Sequence, residues 1–183
     1  DYDGYVIKAN ADFSLDAGQP KNLLLHAGDE SFPYRGWAQT WHILRLISVL
    51  YGAVTVWATY QIGQTLFPGR PAVGLLMAAL NAFTPEFLFM SGLVNNDNLA
   101  SMFAALLLLQ IVRLIKGKDD WVTVGSLGLF LGLGVLSKVS VGVTALPAGL
   151  ALLYAARKRE RSAGGVIRRT LAWGALVSFL TLL

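Results

Sequence analysis

Cysteine is absent from the 183 residues, and histidine occurs only as His26 and His42. No disulfide, thiolate nucleophile or cysteine-based metal site can therefore be built, and two histidines cannot make a His-rich metal centre. Charge is scarce as well. Asp, Glu, Lys and Arg together make up 14% of the chain, against about 25% in soluble domains. No glycine-rich phosphate loop occurs, and no internal period marks a repeat. There is no signal-peptide pattern.

What fills the space is apolar. Hydrophobic residues make up 55% of the chain and mean hydropathy is +0.54. The excess is gathered in stretches near the roughly 20 residues that a helix needs to cross a bilayer. The expected fold class is an all-α polytopic membrane protein with about six transmembrane helices and an outer-face N-terminal loop segment. Residues 1–41 carry six acidic residues and several Gly and Pro, and read as an extracytoplasmic loop with short helices. Trp37 and Trp41 sit where an interfacial aromatic belt would lie. Residues 42–183 read as the transmembrane domain, with segments at about 42–67, 71–93, 96–115, 121–137, 139–156 and 166–183. The stretch from Trp121 to Ala156 would be about 54 Å as one helix, so Ser137-Lys138 is taken to divide it. The run from Thr170 to Leu183 would reach about 21 Å, so the last segment reads as incomplete and the chain as an internal fragment.

Charge gives the orientation. Arg70; Arg113, Lys116 and Lys118; and Arg157, Lys158, Arg159, Arg161, Arg168 and Arg169 are ten of the 15 basic residues, and all lie in three alternate links. The link at 93–97 has none. The positive-inside rule makes the basic links cytoplasmic. Asp97, Lys138 and residues 1–41 then lie outside. The basic run 157–161 is better explained by anionic lipid than by nucleic acid. The glycines 125, 128, 132 and 134 suit close helix contact.

Five residues stand out as candidate ligands. Asp97, in Val94-Asn95-Asn96-Asp97-Asn98-Leu99, is either a functional carboxylate at the membrane boundary or part of a helix cap. Lys138 is either a phosphate contact or a snorkelling lysine. Arg45 is a second phosphate contact, a partner of Asp29 or Glu30, or a snorkelling side chain. Glu86 is either a functional intramembrane acid or a structural one paired with Arg45. Asn96 is a weaker candidate beside Asp97. His26 and His42 read as structural, and Asp29-Glu30 as surface or capping residues.

Several stretches together carry a resemblance: Phe32-Pro33-Tyr34-Arg35-Gly36, His42 to Gly52, Thr84-Pro85-Glu86-Phe87-Leu88-Phe89, Val94 to Leu99, and Gly132-Leu133-Gly134-Val135-Leu136-Ser137-Lys138. In order and spacing the chain resembles the C-type (GT-C) integral-membrane glycosyltransferases, in the group that includes the dolichyl-phosphate-mannose–protein mannosyltransferases. The resemblance covers most of residues 26–156. It implies a transferase that takes a sugar from a polyprenyl-phosphate donor at the outer face of a bacterial cytoplasmic (inner) membrane. It also implies Asp97 as an assisting catalytic residue and a ligand of a divalent metal ion (Mg or Mn), with Lys138, Arg45, Asn96 and Glu86 on the substrate. The main catalytic acid of such enzymes follows the first transmembrane helix, and is expected before Asp1. The alternative is a non-catalytic transmembrane subunit among other membrane subunits. A transporter is a third option, for which more polar residues inside the helices would be expected.

Overall fold

The structure is a computed structural model that describes residues 31–160 and 163–182. His26, Asp29, Glu30 and Arg161 lie outside the described residues. The elements are α1 (Gly36–Leu66), α2 (Pro71–Ala82), α3 (Pro85–Ser91), α4 (Asn96–Ile115), α5 (Trp121–Ser137), a 3₁₀ helix (Val139–Thr144), α6 (Ala145–Arg159) and α7 (Ala163–Leu182). The chain divides inside α1 into two units, residues 1–44 and 45–183. In the first, Tyr34 stacks on His42 with ring centroids 3.6 Å apart, and Trp37 meets Trp41 edge-on at 5.3 Å.

Two boundaries differ from expectation. α1 starts at Gly36 rather than near 42, so the two tryptophans belong to the helix itself. The expected span 71–93 is broken into α2 and α3, bent by 67°. Pro85 accounts for the break. It has no N–H to continue the α2 ladder, and it holds Thr84 in an extended conformation at ψ 120°.

Among the described residues, three helical stretches are long and apolar enough to cross a membrane: Gly36–Leu66, Asn96–Ile115 and Val139–Arg159. The bent α2–α3 pair would make a fourth. Six spans are not reached on this count. α5 is apolar but has 17 residues, or about 26 Å, under the roughly 30 Å hydrocarbon core.

Local chemistry sets the helix ends. Asn95 Oδ1 accepts the Asn98 N–H at 3.1 Å and caps α4. Asp97 lies in its first turn and Arg113 in its last, each suited to the helix dipole. Asp120 caps α5 by accepting the Thr123 N–H at 2.8 Å. α5 yields to a 3₁₀ turn at Val139-Ser140-Val141-Gly142-Val143-Thr144, where β-branched residues fit an α-helix less well. Pro147 falls in the first turn of α6, where no N–H partner is required.

α4 packs on α5 and α6, and α7 packs on the same two helices. Ala100, Leu107, Ile111 and Leu114 face Val124, Leu127 and Leu131, and the small face Ala148, Ala151 and Ala155. Lipid tails are as apolar as leucine, so close packing of small residues holds such a cluster together more than burial does. At Gly134, a Cβ would fall 2.7 Å from Val141 Cγ1, which shows how tightly α5 meets the following turn. α1 meets α2 the same way, with a Cβ on Gly63 only 2.6 Å from Gly74 Cα. Large apolar residues such as Leu75, Leu80, Leu129 and Leu150 point outward, as they would toward lipid.

Unit 45–183 has two chemically distinct ends. At one, Lys116 Nζ donates to the Leu66 carbonyl at 3.1 Å, joining the ends of α4 and α1. Here too Asp119 accepts from Arg159. At the other, Asn96 Nδ2 donates to the Ser137 carbonyl at 3.3 Å, joining the start of α4 to the end of α5. The basic links described therefore gather at the end opposite Asp97.

Candidate functional site

Lys138 and Asp97, 41 residues apart, form an ion pair at the start of α4. The lysine follows the last residue of α5 and stands in an extended conformation, φ −158° and ψ 122°. That geometry ends the helix and turns the side chain across to α4. The side chains are 45% and 43% exposed, so the pair is open to a ligand. The two residues that the charge map puts on one side are thus in direct contact.

Asp97 also lines a cavity of about 270 Å³ shared with Glu86, Thr84, Phe87 and Met90 from the α2–α3 bend, Gly52 and Thr55 from α1, and Asn98 and Ser101 from α4. The bend at Pro85 brings Glu86, in the first turn of α3, to the same cavity as Asp97. Two carboxylates and three hydroxyls offer hydrogen-bond acceptors and donors suited to a polyhydroxylated ligand. Phe87 and Met90 supply an apolar wall.

Asn98 has a structural task. It is 7% exposed, and its Nδ2 donates to the carbonyls of Met90 and Leu93, each at 2.8 Å. These bonds satisfy carbonyls at the end of α3 and dock it on α4. Asn96 lies outside the cavity lining and binds α5 instead. Arg45 is exposed on α1 and is not among the cavity residues. It stands seven residues before Gly52, or about 10 Å along the helix. Among the described residues no ion pair joins Arg45 to Glu86, so the structural pairing considered for Glu86 is not formed.

Thr55, Thr84 and Ser101 escaped the sequence reading. Their signal is helical spacing: Gly52 and Thr55 lie three apart, and Asp97 and Ser101 four apart, on shared faces. Threonine and serine in membrane helices usually bond their own backbone, as Thr55 does to the Tyr51 carbonyl and Thr84 to the Leu80 carbonyl. Thr55 and Thr84 do so while lining the cavity, and that second role has no mark in the sequence.

The donor set is thin for a divalent cation. No group of three or more His, Asp or Glu that could hold a metal occurs among the described residues. Asp97 spends one oxygen on the Lys138 ammonium, whereas magnesium or calcium prefers about six or more oxygens.

Comparison with curated proteins and with solved structures finds no match. A family model does match, that of the dolichyl-phosphate-mannose-protein mannosyltransferases, over residues 38–183. The matched region contains the α2–α3 bend, the cavity and the Asp97–Lys138 pair. By that match, in an all-helical chain with membrane-length apolar helices, the protein belongs to the dolichyl-phosphate-mannose-protein mannosyltransferase family of membrane glycosyltransferases.

Proposed function

We propose that the chain holds part of the donor and acceptor site of a membrane glycosyltransferase that moves a sugar from a polyprenyl-phosphate carrier to an acceptor at the outer membrane face. The observation that carries this reading is the Asp97–Lys138 pair, with Asp97 lining the cavity that also takes Glu86. The basic links at the opposite end favour an orientation with Asp97 outside. A six-crossing path, with α5 as a short span, fits that orientation.

In this reading the donor's phosphate displaces Asp97 from Lys138. The bond between the sugar's anomeric carbon and the phosphate oxygen breaks, and the oxygen keeps the electron pair. Lys138 neutralises the charge that develops there, with Arg45 as a second cation from the lipid side. The acceptor hydroxyl forms the new bond to the anomeric carbon, and its proton passes to the main catalytic carboxylate that the family resemblance implies. Asp97, released from Lys138, assists by accepting a hydrogen bond from that hydroxyl. Glu86 and the cavity hydroxyls orient the sugar, while Asn96 holds α4 and α5 in register. The cavity's 270 Å³ lies just under the roughly 300–1,000 Å³ of drug-sized ligand sites. It suits one sugar ring, leaving the polyprenyl chain to the lipid.

Sugar transfer from polyprenyl-phosphate donors by the full-length protein tests the assignment. Asp97→Asn and Lys138→Ala are each expected to lower turnover roughly 10²-fold. The double variant should be little worse than either single one, because the two act as a unit. Full activity in both single variants would sink the proposal. A divalent ion on Asp97 would require Lys138 to leave it. Chelation is therefore expected to leave transfer unchanged; loss restored by magnesium or manganese would instead place an ion beside Asp97.

A further inference from the structure

The opposite end of the same unit holds a second cavity, of about 620 Å³, lined by Gly117, Lys118, Asp119, Asp120, Trp121, Arg159, Arg169 and Trp173. A smaller one, of about 250 Å³, adjoins it through Gly117, Asp119 and Arg159 and adds Lys158. Four cations and two carboxylates thus line the joined space. Its framework is built rather than accidental. Asp119, 12% exposed, accepts from Arg159 at 2.7 and 2.8 Å and lies 3.6 Å from Arg169. Glu160 accepts from Arg169 at 3.0 Å, and the Arg169 guanidinium lies 4.7 Å over the Trp173 ring.

We propose that this cavity binds the phosphate headgroup of an anionic phospholipid, independently of the transfer site at the other end. With Glu160 counted the surplus is one positive charge; Lys118 and Lys158, outside these Arg–carboxylate pairs, supply the cations for a phosphodiester, and the Arg–carboxylate pairing orders the wall around them. Trp121, 78% exposed at the start of α5, and Trp173 place amphipathic rings at the depth where headgroup meets acyl chain. Basic pockets between membrane helices hold anionic headgroups in this way.

The test uses the full-length protein in phosphatidylcholine vesicles doped with brominated-chain lipid. Quenching of Trp121 and Trp173 is read as the difference from a Trp121→Phe/Trp173→Phe variant. Brominated phosphatidylglycerol is expected to quench well below the concentration that brominated phosphatidylcholine requires. Lys118→Gln and Lys158→Gln, which leave the Arg–Asp network intact, should each weaken that preference about fivefold. High salt should weaken it further. Sugar transfer is read in parallel, so that failure here and failure of the transferase reading are distinguishable. Equal quenching by the two lipids, or a preference unchanged in both lysine variants, would overturn the proposal. Displacement by a millimolar excess of inorganic phosphate would overturn the lipid assignment in favour of a free-phosphate site.

Discussion

At the scale of single residues, the neighbours Asp97 and Asn98 illustrate two different uses of a polar side chain at a membrane boundary. Asp97 is half-exposed in an ion pair, and exposed pairs contribute about 0–1 kcal/mol. Its loss should hardly affect folding, so a fall in activity on Asp97→Asn would report on chemistry. Asn98 is buried and its amide satisfies two carbonyls. The Met90 carbonyl also accepts the Leu93 N–H at 3.0 Å, so removing the amide leaves the Leu93 carbonyl unpaired, at about 1–3 kcal/mol. Asn98→Ala is therefore expected to lower unfolding stability by roughly 1–3 kcal/mol, measured by denaturant unfolding in detergent. A variant as stable as the parent would show that water replaces the amide. Asp120 gives a pH signature. The Thr123 N–H that it accepts holds its carboxyl below the ordinary carboxylate range. Folding thus favours the ionised form. The contribution is whole above the unfolded value of about 3.9 and is lost as the pH falls through the lower folded value. Asp120→Asn keeps a cap but should remove this acid limb from a thermal-unfolding profile. Asp120→Ala should cost about 1 kcal/mol near neutral pH.

At the scale of elements, the decisive feature is the 67° break between α2 and α3. The hydropathy of 71–93 is continuous enough to read as one span, because hydropathy averages over a window and a bend does not change composition. Pro85 was visible, but proline within membrane helices is often accommodated by a kink, and its presence alone does not fix the angle. Pro85→Ala restores an N–H and allows the helix to continue. Spin labels at the exposed positions Leu75 and Phe89 should move apart in this variant, and sugar transfer should fall as Glu86 swings from the cavity. An unchanged distance would show that packing against α1, rather than the proline, sets the bend.

At the scale of the whole unit 45–183, charge is segregated between two ends. Lys116 with Leu66 and Arg159 with Asp119 mark one end; Asp97 with Lys138 marks the other. Native cysteine is absent from the chain, which makes single introduced thiols clean reporters. Val94→Cys and Phe67→Cys, both at exposed positions, are expected to react with an impermeant thiol reagent from opposite sides of the membrane, Val94 from outside. Labelling from the same side would break the topology.

Much of this architecture was legible in one dimension. Apolar length selects helices, because each must satisfy its backbone internally in lipid. Clustering of Lys and Arg separated the basic links from Asp97, since charge and order along the chain are local properties that survive any packing. That reasoning put Asp97 and Lys138 at one end. It left open whether they touch, and it had no means of reaching Glu86, Thr84 and Ser101 as one cavity. Those placements depend on the angle at Pro85, on the extended Lys138 that ends α5, and on close approaches such as Gly63 to Gly74. Composition and charge order determined which segments are helical and which links share an end. Tertiary structure alone decided which polar groups meet, because meeting depends on helix rotation, tilt and bend, which are set by side-chain packing between segments distant in sequence.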